Sequence, residues 1–206
     1  HCLYDDDTYD WIKVKDLKVG TCIDKKSEAC GWASVESFVV HEGYHLMLID
    51  PVKRKEQKID SDNNHVLQNS RHDLALVLLK SSAATKTFIP HAKKTPEIDS
   101  DLFTYGSGRT QKDTPLDRKM RTVKLKADRS YKYTIDGGDT IGRYMAIHSK
   151  EMGVCYGDSG GPVFNYQDDQ LVLSGLNAGV LNNKEGLACD STAAMIVDVS
   201  QYAKWT

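Results

Sequence analysis

The sequence lacks any apolar run near the roughly 20 residues that a membrane-spanning helix requires. It also lacks repeats, low-complexity tracts and an excess of one charge, since 27 Lys and Arg residues face 29 Asp and Glu residues. Basic residues are interleaved with acidic ones, so no nucleic-acid or membrane partner is indicated. At 206 residues and 40% apolar composition, the chain can form one sizeable core or two small ones.

Cysteine is scarce, and its spacing matches neither a zinc knuckle nor a CxxC redox motif. The five cysteines are Cys2, Cys22, Cys30, Cys155 and Cys189. Cys22 and Cys30 bracket a short polar loop that a disulfide could close. An odd Cys2 near the start indicates a free thiol, an intermolecular bridge or a partner lost with an upstream segment.

Helix signals are few, and short strand-like runs dominate. β-branched or alternating runs occupy 11–15, 34–40, 74–79, 121–125 and 170–174, with Gly-rich or Pro-containing turns between them. Only 199–206 predicts a helix, with Tyr202 and Trp205 on one face. Together these signals predict an all-β barrel or sandwich with a terminal helix.

One stretch, His41-Glu42-x-x-His45, matches the HExxH signature of zinc proteases. That site requires a helix, because only the i, i+4 relation places both imidazoles beside one metal. Here a β-branched run leads into His41, Gly43 interrupts the would-be helix and Pro51 limits it. We therefore interpret the stretch as a strand end with its turn and expect no metal.

The strongest functional signal is Gly-Asp-Ser-Gly-Gly-Pro at 157–162. A serine hydroxyl is a poor nucleophile unless a base takes its proton, and the oxyanion formed by its attack needs donors aimed at it. Flanking glycines allow backbone amides to approach closely. A plain Gly-rich turn between strands is the alternative, but the pattern favours Ser159 as a nucleophile.

This motif resembles the nucleophile motif of the chymotrypsin-like (trypsin-like) serine proteases, and other stretches match in the family's order. His1-Cys2 resembles the end of the catalytic-histidine motif, and Asp-Leu-Ala-Leu at 73–76 resembles the triad-aspartate motif. Tyr-Gly-Ser-Gly at 105–108 is similar to the family's Gly-Trp-Gly stretch with Ser for Trp. The resemblance covers essentially the whole chain, and the order His, Asp, Ser is the order of this family.

The resemblance implies an all-β, two-barrel chymotrypsin-like fold with a C-terminal helix. We expect 1–82 to form an N-terminal barrel, 83–100 a linker and 101–206 the C-terminal barrel with the specificity pocket. In the family, further strands precede the catalytic histidine. The first barrel is therefore expected to be incomplete here, unless activation and substrate access differ from the family pattern.

The same resemblance implies a catalytic triad of His1, Asp73 and Ser159. The N–H groups of Gly157 and Ser159 would form the oxyanion hole. Asp158 would pair with a cation, which in the family is the N-terminal amine freed by zymogen cleavage. His1 cannot supply that amine while it also serves as the base.

The resemblance further implies that Cys155 pairs with Cys189 beside the specificity pocket. The pocket floor falls on Gly153, where tryptic members carry an aspartate, and the narrowed walls fall on Val180 and Ala194. A neutral floor with a narrow mouth predicts small or medium apolar side chains at the substrate's P1 position. The full expected set is Gly153, Val154, Ala178, Gly179, Val180 and Ala194.

Three departures from the family stand out. A charged insert around 51–64 is interpreted as a surface loop, with an exosite as the alternative. The loop between Cys22 and Cys30 lies near a calcium site of some relatives, with Asp24 and Glu28 as candidate ligands, but no metal is predicted. The family bridge before the nucleophile loop is missing, and His148 lies near one of its positions.

The resemblance to this family implies a secreted, extracellular serine endopeptidase, made as a zymogen, that cleaves protein or peptide substrates through an acyl-enzyme. No cofactor is expected, the chain is expected to be a monomer, and a protein inhibitor or an activating protease would be its other partners. The alternative is an inactive protease homologue that binds a partner or regulates a cascade.

Overall fold

The computed structural model describes residues 2–5, 10–20, 31–44, 72–82, 88–111, 114–116, 119–128, 142–149, 152–180, 189 and 193–206. The predictions made for His1, for the loop between Cys22 and Cys30 and for the insert at 51–64 lie outside these residues. Within the described ranges, no helix has the length and apolar character needed to cross a membrane.

Strands dominate the described chain, which confirms the predicted all-β class. The strands of the N-terminal half are β1 (Tyr4–Asp5), β2 (Asp10–Trp11), β3 (Lys18–Gly20), β4 (Trp32–Val40) and β5 (Ala75–Leu79). Those that follow are β6 (Asp101–Gly106), β7 (Arg121–Asp128), β8 (Arg143–Ile147), β9 (Pro162–Gln167), β10 (Gln170–Val180) and β11 (Ala193–Asp198). Between them the strands form three sheets.

The later strands close into a barrel in the order β10-β11-β8-β7-β6-β9, with antiparallel neighbours. In β6 and β7 every second side chain faces the barrel interior, as expected for strands with one buried face. The buried residues are Leu102 and Thr104 in β6 and Leu125 and Ala127 in β7, and the residues between them are more exposed. All six residues of β11 are buried. Ala194 and Ile196 belong to the barrel core, whereas alternate residues of the same strand join a second core with Leu74 and Tyr202. Strand β11 is therefore a wall shared by the two cores.

The earlier strands form a three-stranded antiparallel sheet, β3-β4-β5, and a separate β1–β2 pair. Val40 at the end of β4 pairs with Ala75 at the start of β5, which places the chain just before β5 beside the turn after β4. The predicted strand at 11–15 is wrong beyond Trp11, because Val14–Asp16 forms a 3-10 turn. Local bonds from the N–H groups of Asp16 and Leu17 satisfy the backbone there instead of a neighbouring strand.

The C-terminal segment is shorter as a helix than predicted. A 3-10 helix spans Val199–Tyr202, and a turn follows in which the Trp205 N–H donates to the Tyr202 carbonyl. The Asp198 carboxylate caps the helix by accepting from the Ser200 N–H at 3.1 Å. Tyr202 is buried in the second core beside Leu74, so this segment joins the barrel to the residues that precede β5. The exact ends of the linker predicted at 83–100 stay a prediction.

Candidate active site

A cavity of about 150 Å³ lies between the three-stranded sheet and the barrel. Asp73, 9% exposed, lines it together with Cys2 and Gly160. These last two residues are the chain neighbours of His1 and Ser159, and Cys2 Sγ lies 3.4 Å from the position that a Cβ on Gly160 would take. The fold therefore brings Asp73 and the chain neighbours of His1 and Ser159 to one cavity, while His1 itself lies outside the described residues.

The loop at 157–161 has a backbone that only glycine adopts easily. Gly157 has φ +92°, and a Cβ there would lie 3.0 Å from Leu116 and 3.2 Å from the Cα of Gly108. The loop is pinned to β10, because the Gly160 N–H donates to the Asn177 carbonyl at 2.7 Å and the Asn177 N–H donates to the Gly161 carbonyl at 2.9 Å. Ser159 is exposed at the tip of this pinned loop.

Two backbone donors of this loop are available to a ligand. Within the described part of the chain, the N–H groups of Gly157 and Ser159 form no hydrogen bond, whereas the N–H groups on either side of Ser159 do. The Asp158 N–H donates to the Cys155 carbonyl and the Gly160 N–H to Asn177. A pair of unpaired amides around an exposed hydroxyl is the arrangement that an oxyanion hole requires.

Asp158 points away from the hydroxyl and into the protein. Its carboxylate accepts from the Gly108 N–H at 2.8 Å and from the Cys155 N–H at 3.0 Å. Gly106 makes room for it, since a Cβ on that glycine would clash with the carboxylate. The Tyr-Gly-Ser-Gly stretch is therefore a cradle for the Asp158 side chain.

A family model for trypsin matches residues 1–206. The chain belongs to the trypsin family. Among solved structures, this trypsin-family chain is similar to neuropsin, a serine protease expressed in the limbic system of mouse brain, with 19% identity and a TM-score of 0.63. The likeness covers 85% of this chain and 70% of that one. No curated protein sequence matches the chain.

These findings confirm the predicted chymotrypsin-like serine protease family and its two-barrel fold. The predicted Cys155–Cys189 disulfide is also present, with the two Cα atoms 4.5 Å apart. It ties the segment before the nucleophile loop of this trypsin-family chain to the region before β11. Cys2 is free and exposed.

The His41–Tyr44 stretch forms a turn directly after β4, as predicted, with the Tyr44 N–H donating to the His41 carbonyl at 2.9 Å. One ring nitrogen of His41 accepts from the Gly43 N–H at 3.0 Å, and His45 lies outside the described residues. Among the described residues, no three His, Cys, Asp or Glu side chains are grouped so that they could hold a metal ion.

Sequence reasoning missed a ring cluster behind Asp73. The His72 ring stacks on His41 with centroids 4.5 Å apart, and His72 Nδ1 lies 3.0 Å from the Tyr202 hydroxyl. His72, immediately before Asp73, has φ +56°, an uncommon value for a residue other than glycine. Polar residues in a loop give no periodic signal, so the sequence offered no sign of this packing.

Glu42 connects the cluster to the C-terminal segment. Its carboxylate accepts from Trp205 Nε1 at 3.0 Å. The pKa of Glu42 is lowered from its ordinary value, chiefly by a hydrogen bond from its own backbone N–H, and further by Trp205 and the nearby imidazoles. Trp205 also packs on His41, with ring centroids 4.9 Å apart.

The predicted specificity residues converge near the end of β10 and the start of β11. Val180 pairs with Ala194, and both belong to or pack on the barrel core together with Val154, which is 3% exposed. Ala178 is buried in the second core, the one that contains Leu74 and Tyr202, and Gly179 pairs with Met195. The structure thus groups Val154, Val180 and Ala194, with the Ala194 side chain fully buried.

Proposed function

We propose that this trypsin-family protease is a secreted endopeptidase, made as a zymogen, with His1, Asp73 and Ser159 as its triad. The observation that supports it most is the cavity at which Asp73, the neighbour of His1 and the neighbour of Ser159 meet. A disulfide between Cys155 and Cys189 is in keeping with an oxidising extracellular compartment. The protein is proposed to act as a monomer on protein or peptide substrates.

In the proposed reaction, the Ser159 hydroxyl attacks the scissile carbonyl while His1 takes its proton. His1 then gives that proton to the leaving amine, and Asp73 orients His1 and stabilises its protonated form. The N–H groups of Gly157 and Ser159 bind the oxyanion. Removing one such donor costs on the order of 3 kcal/mol of transition-state stabilisation in comparable enzymes. Water then hydrolyses the acyl-enzyme by the same sequence in reverse.

Zymogen activation is proposed to act on Asp158. A cavity of about 230 Å³ opens beside its carboxylate and is lined by Gly108, Arg109, Met152 and Gly153, among others. We propose that a chain terminus freed by cleavage enters this cavity and that its amine pairs with the carboxylate. Such a cation would fix the loop that carries both oxyanion donors.

The proposed P1 preference is for small or medium apolar side chains. It is supported by the apolar grouping of Val154, Val180 and Ala194 and by the absence of any side chain at Gly153. A pocket of this kind offers no carboxylate to pair with a Lys or Arg side chain at P1.

A fluorophosphonate probe tests the proposal on the full-length, activated protein. We expect covalent labelling of Ser159, loss of labelling in Ser159→Ala and in Asp73→Asn, and activity that a chelator leaves unchanged. Loss of activity with chelator, together with no labelling, would instead support a metalloprotease. Absence of both labelling and peptide hydrolysis after activation would support the inactive homologue.

A further inference from the structure

An imidazole lies where the side chain of the predicted pocket-floor residue would start. A Cβ built on Gly153 would fall 2.2 Å from His148 Nδ1 and 2.7 Å from its Cε1. Non-bonded atoms do not approach so closely, so the ring occupies the space directly above the Gly153 Cα. His148 is half-buried in this position.

A backbone N–H from the segment that carries Gly153 contacts this ring. The Val154 N–H donates to His148 Nε2 at 3.4 Å. The residue after His148 contacts the residue before Gly153, since the Ser149 N–H donates to the Met152 carbonyl at 3.1 Å and the Met152 N–H donates to Ser149 Oγ at 3.1 Å. The hydrogen bond to Nε2 therefore joins the ring to the residue that directly follows Gly153.

Strand register places the same ring beside the predicted pocket walls. His148 directly follows β8, in which Ile147 pairs with Ala193 and Ala146 pairs with Ala194. Ala194 in turn pairs with Val180 of β10. The end of β8, the start of β11 and the end of β10 thus lie side by side, and His148 continues that row towards Gly153.

We propose that the His148 imidazole, and not the residue at 153, forms the floor of the primary specificity pocket and limits the length of the P1 side chain. This assignment rests on the proposed function, because it requires the chain to cleave peptides. It narrows the substrate class to chains with a short P1 residue such as Ala, Val or Thr. Longer P1 residues such as Phe, Leu or Met would meet the ring.

The magnitude follows from the size of the ring. One added or missing methylene in an apolar pocket changes discrimination by about 10- to 200-fold. Replacing the imidazole by a methyl group opens space for several methylenes. We therefore expect the ratio of kcat/KM for a Phe substrate to kcat/KM for an Ala substrate to rise by at least about tenfold in His148→Ala.

The test uses activated full-length protein and two peptide substrates that differ only in P1, Ala or Phe. His148→Asn is the second variant, because its side chain stays polar while it is shorter and smaller than the imidazole. The ratio should rise in the order His, Asn, Ala. His91→Ala is the matched control, since the exposed His91 bonds only its neighbour's carbonyl at 3.2 Å among the contacts described, and it should leave the ratio unchanged.

Different results would overturn the protease function and the floor assignment. If Ser159 is labelled by fluorophosphonate and both substrates are cleaved, but the ratio stays the same in His148→Asn and His148→Ala, the floor assignment is wrong and the protease function stands. If the wild-type protein neither labels nor cleaves any substrate, the proposed function is wrong and the floor assignment fails with it. A misfolded His148→Ala leaves His148→Asn to decide the point.

Discussion

Replacing Asp158 by Asn should loosen the nucleophile loop without removing any catalytic group. The carboxylate now accepts from two backbone donors, the N–H groups of Gly108 and Cys155, one on each oxygen. An amide offers one oxygen and one NH2, so one of these buried N–H donors would face another donor. An unpaired backbone N–H costs about 1–3 kcal/mol, and the lost charge weakens the remaining bond, so we expect about 2–3 kcal/mol of destabilisation.

That destabilisation corresponds to a fall in Tm of about 5–10 °C for a chain of this size. Because the loop also carries the N–H groups of Gly157 and Ser159, kcat/KM should fall about 10- to 100-fold, less than the full loss of an oxyanion donor. Thermal unfolding and steady-state kinetics on the activated protein measure the two effects. The control is Asp168→Asn, at an exposed turn with φ +51° that asparagine tolerates and a loose Lys94 contact at 4.0 Å.

An unchanged Tm in Asp158→Asn would refute the claim that the two backbone donors depend on this carboxylate. A lower Tm with unchanged kcat/KM would refute the coupling between the cradle and the oxyanion donors. If Asp168→Asn matched Asp158→Asn in both measurements, the effect would belong to charge in general and not to the cradle.

Three further predictions concern stability and its coupling to the site. Replacing Cys155 and Cys189 together by Ala removes a cross-link that spans 34 residues, so the free energy of unfolding measured with denaturant should fall by about 4 kcal/mol. A fall below about 1 kcal/mol would contradict the idea that the bridge stabilises by restricting the unfolded chain. Gly43→Ala would place a Cβ 2.6 Å from the His72 ring, so the fold should lose about 1–3 kcal/mol of stability, seen as a lower Tm, and kcat/KM should fall as well. A variant with unchanged Tm and kcat/KM would show that the position of the His72 ring is unimportant. Because the pKa of Glu42 is lowered in the folded state, its carboxylate stabilises the fold above its ordinary pKa, and this stabilisation is lost as pH falls through the folded value. Wild type and Glu42→Gln should therefore differ in Tm near neutral pH and converge in acid, and a constant difference would contradict the assignment.

The elements that could be predicted are those with a local cause. The alternation in 34–40 and 121–125 predicted β4 and β7, and the six-residue motif at 157–162 located the nucleophile loop. The Cys155–Cys189 bridge followed from the family resemblance and is present. In each case the information lies within a few residues or in a strongly specific pattern.

The elements that escaped prediction depend on long-range packing. Strand β11 is buried on both faces, so its sequence has no alternation to read. The run at 11–15 alternates, yet local turn bonds at Val14–Asp16 win over strand pairing. The contact of His148 with Gly153 depends on the register of β8 against β11, and the stack of His72 on His41 depends on how β4 and β5 pair. Neither contact can be read from a short stretch of the sequence, because each depends on how strands pair.

The placement of the tryptophans has a consequence for fluorescence. The chain has three tryptophans, and none lies within the barrel strands β6 to β11. Trp11 lies in β2 and Trp32 in β4, while Trp205 bridges Glu42 and His41. Tryptophan emission would therefore report on the β1–β2 pair, on the three-stranded sheet and on the contact of the C-terminal segment with the turn after β4, and not on the strands of the closed barrel. Comparing the thermal unfolding curve of tryptophan emission with that of far-ultraviolet circular dichroism would show whether the two halves separate before the barrel unfolds.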